Sequence, residues 1–193
     1  MIFKDRLPDP DSLDFKEVFT DFYGQSRPVV RAIALRIAGP AADIDGMANE
    51  TFARLLATLK AGIDIKNPGG FVRVTVSRLA IDYHREARSD AISAETLPEI
   101  SIWSSVSHLV GPEVAYEVME LHKAIDSVLS EPLRNTLLLR EVAGLTVGEV
   151  ADILDIGKAS VATNVLRAKR KLRQHFEDQP IPAMTEYLKG GKA

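Results

Sequence analysis

The chain of 193 residues contains no cysteine, which removes disulfides, thiolate nucleophiles and zinc-cysteine sites together. No apolar run approaches the roughly eighteen residues that a membrane span needs. The N-terminus, MIFKDRLPDPD, puts charge and proline where a signal peptide carries its apolar segment, so the expectation is a soluble cytoplasmic protein without membrane insertion. The phosphate-binding G-x-x-x-x-G-K-[ST], dinucleotide-binding G-x-G-x-x-G and hydrolase G-x-S-x-G patterns are all missing. Four histidines, His84, His108, His122 and His175, lie in separate segments with no H-x-x-x-H pair among them. Asp43-Ile44-Asp45-Gly46 begins like a calcium loop but lacks the later ligands. The composition therefore gives no support to a catalytic residue, a metal site or a cofactor.

What the chain does have is concentrated between Glu131 and Phe176. Thr146 and Glu149 form the T-x-x-E pattern of a capping box, in which each side chain satisfies an amide of the first helical turn. Val147, Val150, Ala151 and Leu154 follow at helical spacing, and Asp155-Ile156-Gly157 supplies a break, Gly157 being the residue suited to positive φ. A second helix begins at about Lys158, with Val161, Val165, Ala168, Leu172 and Phe176 on one buried stripe. At 100° per residue Ser160, Thr163, Asn164, Arg167, Lys171 and Gln174 share another face, with Arg170 at its edge. Six Lys or Arg and no acid lie between Lys158 and His175, although the whole chain carries a net charge of −3. Local charge that opposes the global sign fits a helix laid against phosphates and base edges. Helix, short turn and basic helix in this order predict a helix-turn-helix. The competing description is a helical hairpin with a solvated charged face.

The remaining segments are helical by period. Ser12 or Asp11 is expected to cap a first helix carrying Phe15, Val18, Phe19, Phe22 and Tyr23. Gly24 to Ser26 interrupt it, and Pro28 opens a second helix with Val29, Ile33 and Ile37. Asp43 to Leu59 buries Ile44, Met47, Ala48, Phe52, Leu55, Leu56 and Leu59, with Asp45, Asn49, Glu50 and Arg54 toward the other margin. After the loop Lys60 to Gly70, a helix from about Phe71 to Arg88 turns Val72, Val76, Leu79 and Tyr83 inward. Residues 91–112 lack a sustained period and read as a linker, although Ile100, Ile102 and Trp103 are apolar enough to dock. Glu113 opens another helix, followed by one with Leu133, Leu137, Leu138 and Val142 inside and Gly144 at its end. The expectation is an all-α chain of two small domains, 1–90 and 113–177, joined by an irregular linker and followed by a flexible tail at 178–193.

Five stretches in order resemble the bacterial sigma factors of the extracytoplasmic-function type. Asn49-Glu50-Thr51-Phe52-Ala53-Arg54-Leu55 is similar to the family's Q-E-x-F-x-R-L helix, and Ala80-Ile81-Asp82-Tyr83-His84-Arg85 to its A-x-D-x-x-R stretch. Leu129-Ser130-Glu131-Pro132-Leu133-Arg134 resembles its L-P-x-x-x-R entry to the fourth region. Gly144-Leu145-Thr146-Val147-Gly148-Glu149-Val150-Ala151 is similar to G-L-S-x-x-E-I-A. Val161 with Arg167-Ala168-Lys169 resembles the recognition helix.

The resemblance implies a factor without catalytic activity that directs core RNA polymerase to promoters. In that scheme Asp45, Asn49, Glu50 and Arg54 bind polymerase, while Asn67, Arg78, Arg85 and Arg88 receive the opened −10 element. Lys158, Ser160, Thr163, Asn164, Arg167, Arg170 and Lys171 enter the −35 major groove. Promoter DNA, core polymerase and an anti-sigma protein are the partners it implies. Ala162 and Asn164 stand where the family usually has basic residues, which implies weaker −35 binding. A free-standing dimeric helix-turn-helix regulator, reading a palindrome without polymerase, is the alternative.

Overall fold

The computed structural model describes residues 6–39, 42–90 and 124–178, with the backbone alone for 84, 87–90 and 178. Among these residues the regular elements are all helical. They are α1 (Phe15–Ala38), α2 (Ile44–Lys60), α3 (Pro68–Asp90), a helical stretch at 124–128, α4 (Glu131–Leu137), a π-helical turn (Leu138–Val142), α5 (Val147–Leu154) and α6 (Lys158–Asp178). The linker expected at 91–112, the opening of the helix at Glu113 and the tail beyond Asp178 lie outside the described residues.

Where two helices were expected at the N-terminal end, one runs unbroken from Phe15 to Ala38 with Pro28 inside it. Glycine and proline weaken a helix locally, but tertiary burial decides the outcome. Phe22, Ser26, Val30, Ile33 and Ile37 form a continuous buried stripe straight through the expected break. Val30 occupies the core position assigned to Val29, which is 43% exposed. Asp14, not Ser12 or Asp11, precedes the helix. Ser12 instead turns back on Asp9, its amide and hydroxyl both donating to the Asp9 carbonyl at 2.9 and 2.6 Å.

α1, α2 and α3 pack against one another around Ile33, Ile37, Ala48, Phe52, Leu55, Val72, Val76 and Ala80. Phe22 and Tyr23 meet Phe52 edge-on, at centroid distances of 6.3 and 4.6 Å. On α3 the inward positions after Val76 are Ala80 and Ile81, whereas Leu79 and Tyr83 are only half-buried. Both α2 and α3 start on the same device. The Asp43 carboxylate accepts the Gly46 amide at 2.8 Å, and the Asn67 carbonyl oxygen accepts the Gly70 amide at 2.9 Å. Each glycine lies so close to its capping side chain that a Cβ would collide with it. Pro68 takes the first position of α3, where its missing N–H is not needed, so this helix begins three residues before the expected Phe71.

The C-terminal half is built on α4, α5 and α6. Every residue from Leu133 to Leu139 is buried, through the end of α4 and into the π-helical turn, so this segment is enclosed on all sides rather than along one stripe. Gly144, at φ 67°, ends the segment. Arg134 joins the two halves. It is 6% exposed, and its guanidinium reaches Asp126 at 2.5 Å, the Asn135 side chain at 3.3 Å and the Ile37 carbonyl at 3.2 Å. Ile37 lies in the last turn of α1, where carbonyls have no partner within the helix. One buried cation thus closes the end of α1 from a distance of 97 residues along the chain.

Candidate nucleic-acid interface

The helix-turn-helix forms as the local chemistry requires. Thr146 stands before α5 in extended backbone, and the capping box closes in both directions. The Glu149 amide donates to the Thr146 hydroxyl at 3.3 Å, and the Thr146 amide to the Glu149 carboxylate at 2.7 Å. The left-handed residue of the turn is Asp155, at φ 53° and ψ 51°, and not Gly157. A helix ending at Leu154 needs the residue immediately after it to turn left, so that the next amides can fold back on the last carbonyls. Ile156 does so, donating to the Ala151 carbonyl at 3.1 Å.

Val161, Ala168, Leu172 and Phe176 of α6 are buried and Val165 is half-buried, which sets the direction in which the helix faces outward. Opposite that stripe stand Ala159, Thr163 and Arg170, flanked by Leu166 on one side and Arg167 on the other, all exposed. Lys158, Ser160 and Lys171 are exposed as well. Asn164 differs. It is half-buried on the side toward α4, its amide 3.5 Å from the Thr136 hydroxyl.

The cations of this helix divide by partner. Lys169 pairs with Glu141 of the π-helical turn at 2.9 Å. No acid among the described residues pairs with Arg167, Arg170, Lys171 or Arg173, which leaves a positive outward surface. Arg173 and Leu166, both exposed, are absent from the face deduced by period alone. Measuring the wheel from the buried stripe, instead of from the most polar residues, would have included them.

Two further polar surfaces lie on the N-terminal half. Asp45, Asn49, Glu50 and Arg54 are all exposed on α2. Asp45 is held by two α1 side chains, Arg27 at 2.7 Å and Arg31 at 3.2 Å, and Arg54 pairs with Glu50 at 2.7 Å. Pairs this open to water contribute at most about 1 kcal/mol, so a partner can exchange them at little cost. Asn67, Arg78 and Arg85 are exposed at the start and along one side of α3. The Asn67 oxygen accepts from the Gly70 amide, which leaves the two N–H donors of its side-chain Nδ2 able to meet a ligand. The Arg88 side chain lies outside the described residues. Arg73, on the same helix, donates to the Gly69 carbonyl at 3.1 Å and extends toward Gly144 ahead of α5. Among the described residues no group of three or more His, Asp or Glu could hold a metal ion, and no helix is long and apolar enough to cross a membrane.

Comparison with known proteins supplies the frame for these surfaces. Residues 22–89 match sigma-70 region 2, and residues 119–172 match sigma-70 region 4. The ferric citrate uptake sigma factor FecI of Escherichia coli strain K12 is 26% identical over 153 residues, which span 78% of this chain and 86% of FecI. The fold resembles that of the sigma factor RpoE of Bartonella quintana, solved with the anti-sigma factor NepR, at a TM-score of 0.52 and 15% identity over 83% of this chain and 98% of that one. Region 2 followed by region 4, with a capped helix-turn-helix and an outward basic helix inside the second, establishes the lineage: the chain belongs to the sigma-70 family, among the extracytoplasmic-function sigma factors.

Proposed function

We propose that this chain directs core RNA polymerase to specific promoters, with one half holding the −10 element and the other reading the −35 element. The observation that carries the reading is the pairing of the outward-facing basic stretch of α6, free of acids from Lys158 to His175, with a region 2 domain at the other end of the same chain. A free-standing dimeric regulator has no use for region 2, so nothing favours that alternative.

In this scheme residues 113–177 form the −35 reader. Arg167, Arg170 and Lys171 neutralise phosphates, and Lys158, Ser160 and Thr163, in the N-terminal half of the helix, approach base edges. Asn164, half-buried against Thr136, stays at the margin and orients the helix more than it reads bases. Residues 1–90 do two things. Asp45, Asn49, Glu50 and Arg54 dock on polymerase, the charge on Asp45 already shared with Arg27 and Arg31. Asn67, Arg78, Arg85 and Arg88 hold the separated −10 strand. Extruding a base costs a few kcal/mol, which phosphate pairing along α3 and base contacts at the Asn67 loop offset. Polymerase performs the chemistry, and the chain needs no catalytic group, metal or cofactor of its own. Its working place is the cytoplasm, with polymerase. An anti-sigma protein is the proposed inhibitor, by analogy with the Bartonella complex.

The test is co-purification with core polymerase. The wild-type chain should form a stoichiometric complex, and Asp45→Arg with Glu50→Arg should weaken it at least tenfold while the melting temperature changes little. Equal binding by the double variant would place the docking surface elsewhere on the chain. No binding by the wild type would remove the reading altogether.

A further inference from the structure

Leu166 is the feature that the phosphate-and-base scheme leaves unused. It is 70% exposed within the body of α6, whereas Val18 and Val29, the other large aliphatic side chains exposed within a described helix, are 38% and 43% exposed. Ala162 and Ala159, four and seven residues before it, continue the same line of the helix and are also exposed. The result is an apolar strip on the outward side of a helix whose other exposed side chains, from Lys158 to His175, are cationic or neutral polar. Thr163, Arg167, Arg170 and Arg173 border it.

The occupant of this strip has to satisfy two conditions. The surrounding cations, with no acid between Lys158 and His175, call for a polyanion. The strip itself calls for an apolar group presented by that polyanion at contact distance. Among the base edges of the major groove the one apolar group that projects as a full methyl is the C5 methyl of thymine. An acidic amphipathic protein helix would meet the charge condition too, but the strip is only one side chain wide and has small Ala neighbours. That suits a methyl group inserted beside a base edge better than the broad apolar face of a helix.

We propose that Leu166, with Ala162, reads thymine methyl groups in the −35 element, and so determines specificity at positions where no polar side chain contacts the base. The inference rests on the promoter-reading role given above. Four residues along an α-helix advance about 6 Å, and successive bases on one strand are about 3.4 Å apart. The strip therefore covers at most two neighbouring base steps. Ala162 leaves room for the methyl where a longer side chain would fill the groove.

The experiment uses holoenzyme, formed from core polymerase and the full chain, with duplex promoters whose −35 segment is randomised. Selection with the wild type should enrich thymine at one or two adjacent positions, and selection with Leu166→Ala should lose that preference while retaining the rest of the sequence. Replacing the selected thymine by deoxyuracil, which removes the methyl and nothing else, should reduce wild-type open-complex formation about fourfold, the effect of one methyl-sized apolar contact. It should leave the Leu166→Ala holoenzyme unchanged. Because Leu166 is exposed, the variant should melt with the wild type.

Equal use of thymine and deoxyuracil templates by the wild type, with start-site-specific transcription intact, overturns the methyl reading and leaves promoter recognition standing. A Leu166→Ala enzyme that still discriminates the two templates also overturns it, because another side chain then reads the methyl. Absence of start-site-specific transcription from every template would remove the promoter-reading role together with this inference.

Discussion

Thr146 and Asp155 bracket α5, and each makes a separate demand. The Thr146 hydroxyl and the Glu149 carboxylate satisfy amides that no helical carbonyl can reach. Thr146→Ala should lower stability by about 1 kcal/mol, seen as a drop in melting temperature, with Thr146→Ser close to neutral. An alanine variant as stable as the wild type would mean that the cap contributes nothing. Asp155 holds a left-handed backbone that Asp tolerates better than most residues but that glycine adopts with least strain. Asp155→Gly should therefore raise stability by up to about 1 kcal/mol, and Asp155→Val should lower it by a similar amount. Calorimetry on the pair gives the sign. The capping box was legible in the sequence because Thr146 and Glu149, three residues apart, satisfy each other's amides locally. The turn residue was not, because the position that must turn left depends on where α5 stops, and the glycine two places further on gives a stronger but misleading signal. Gly70 carries a related lesson. It falls in the expected loop, yet it sits inside the first turn of α3, close under the side chain that caps it, as Gly46 does in α2.

At the level of elements, α6 was legible in period and charge but not in its direction. Its buried stripe followed from apolar spacing alone. The polar arc chosen from residue type was rotated toward α4, so that it included the half-buried Asn164 and omitted Leu166 and Arg173. Which side of a helix faces outward depends on what it packs against, and the amphipathic pattern gives that only when referred to the core. For the phosphate contacts, Arg167→Ala with Lys171→Ala should weaken −35-dependent transcription and reduce the logarithmic salt slope by about 1.8, two contacts at roughly 0.9 each. Core binding should remain. An unchanged slope would mean that these side chains do not meet phosphates. α1 is the element on which local signals failed. Gly24, Ser26 and Pro28 are three helix-weakening residues within five positions, but Phe22, Val30, Ile33 and Ile37 bury the same face on both sides of them. Continuity of burial, a tertiary property, outweighed propensity.

For the whole molecule, the all-α class and the order of the two helical halves were readable from periodicity. The contact between the halves was not, since Arg134 and Ile37 are 97 positions apart and nothing in either segment names the other. Arg134 serves three acceptors from an almost fully buried position. Arg134→Ala would leave a carbonyl, an amide oxygen and a carboxylate without that cation, and should lower stability by about 2–3 kcal/mol. Arg134→Lys should recover little, because a single ammonium does not reproduce the planar fork. Urea unfolding measures both, and a loss under about 0.5 kcal/mol would show the contact to be incidental at the level of surface pairs.

The central claim is that one chain supplies both promoter readers to an enzyme that initiates nowhere specific without it. Run-off transcription with purified core polymerase, with and without this chain, tests it most directly, using genomic DNA fragments as templates and mapping the 5′ ends of the products. Addition of the chain should produce discrete start sites that share two upstream sequence elements. Start sites that do not change on addition, or DNA binding confined to palindromes in the absence of polymerase, would contradict it.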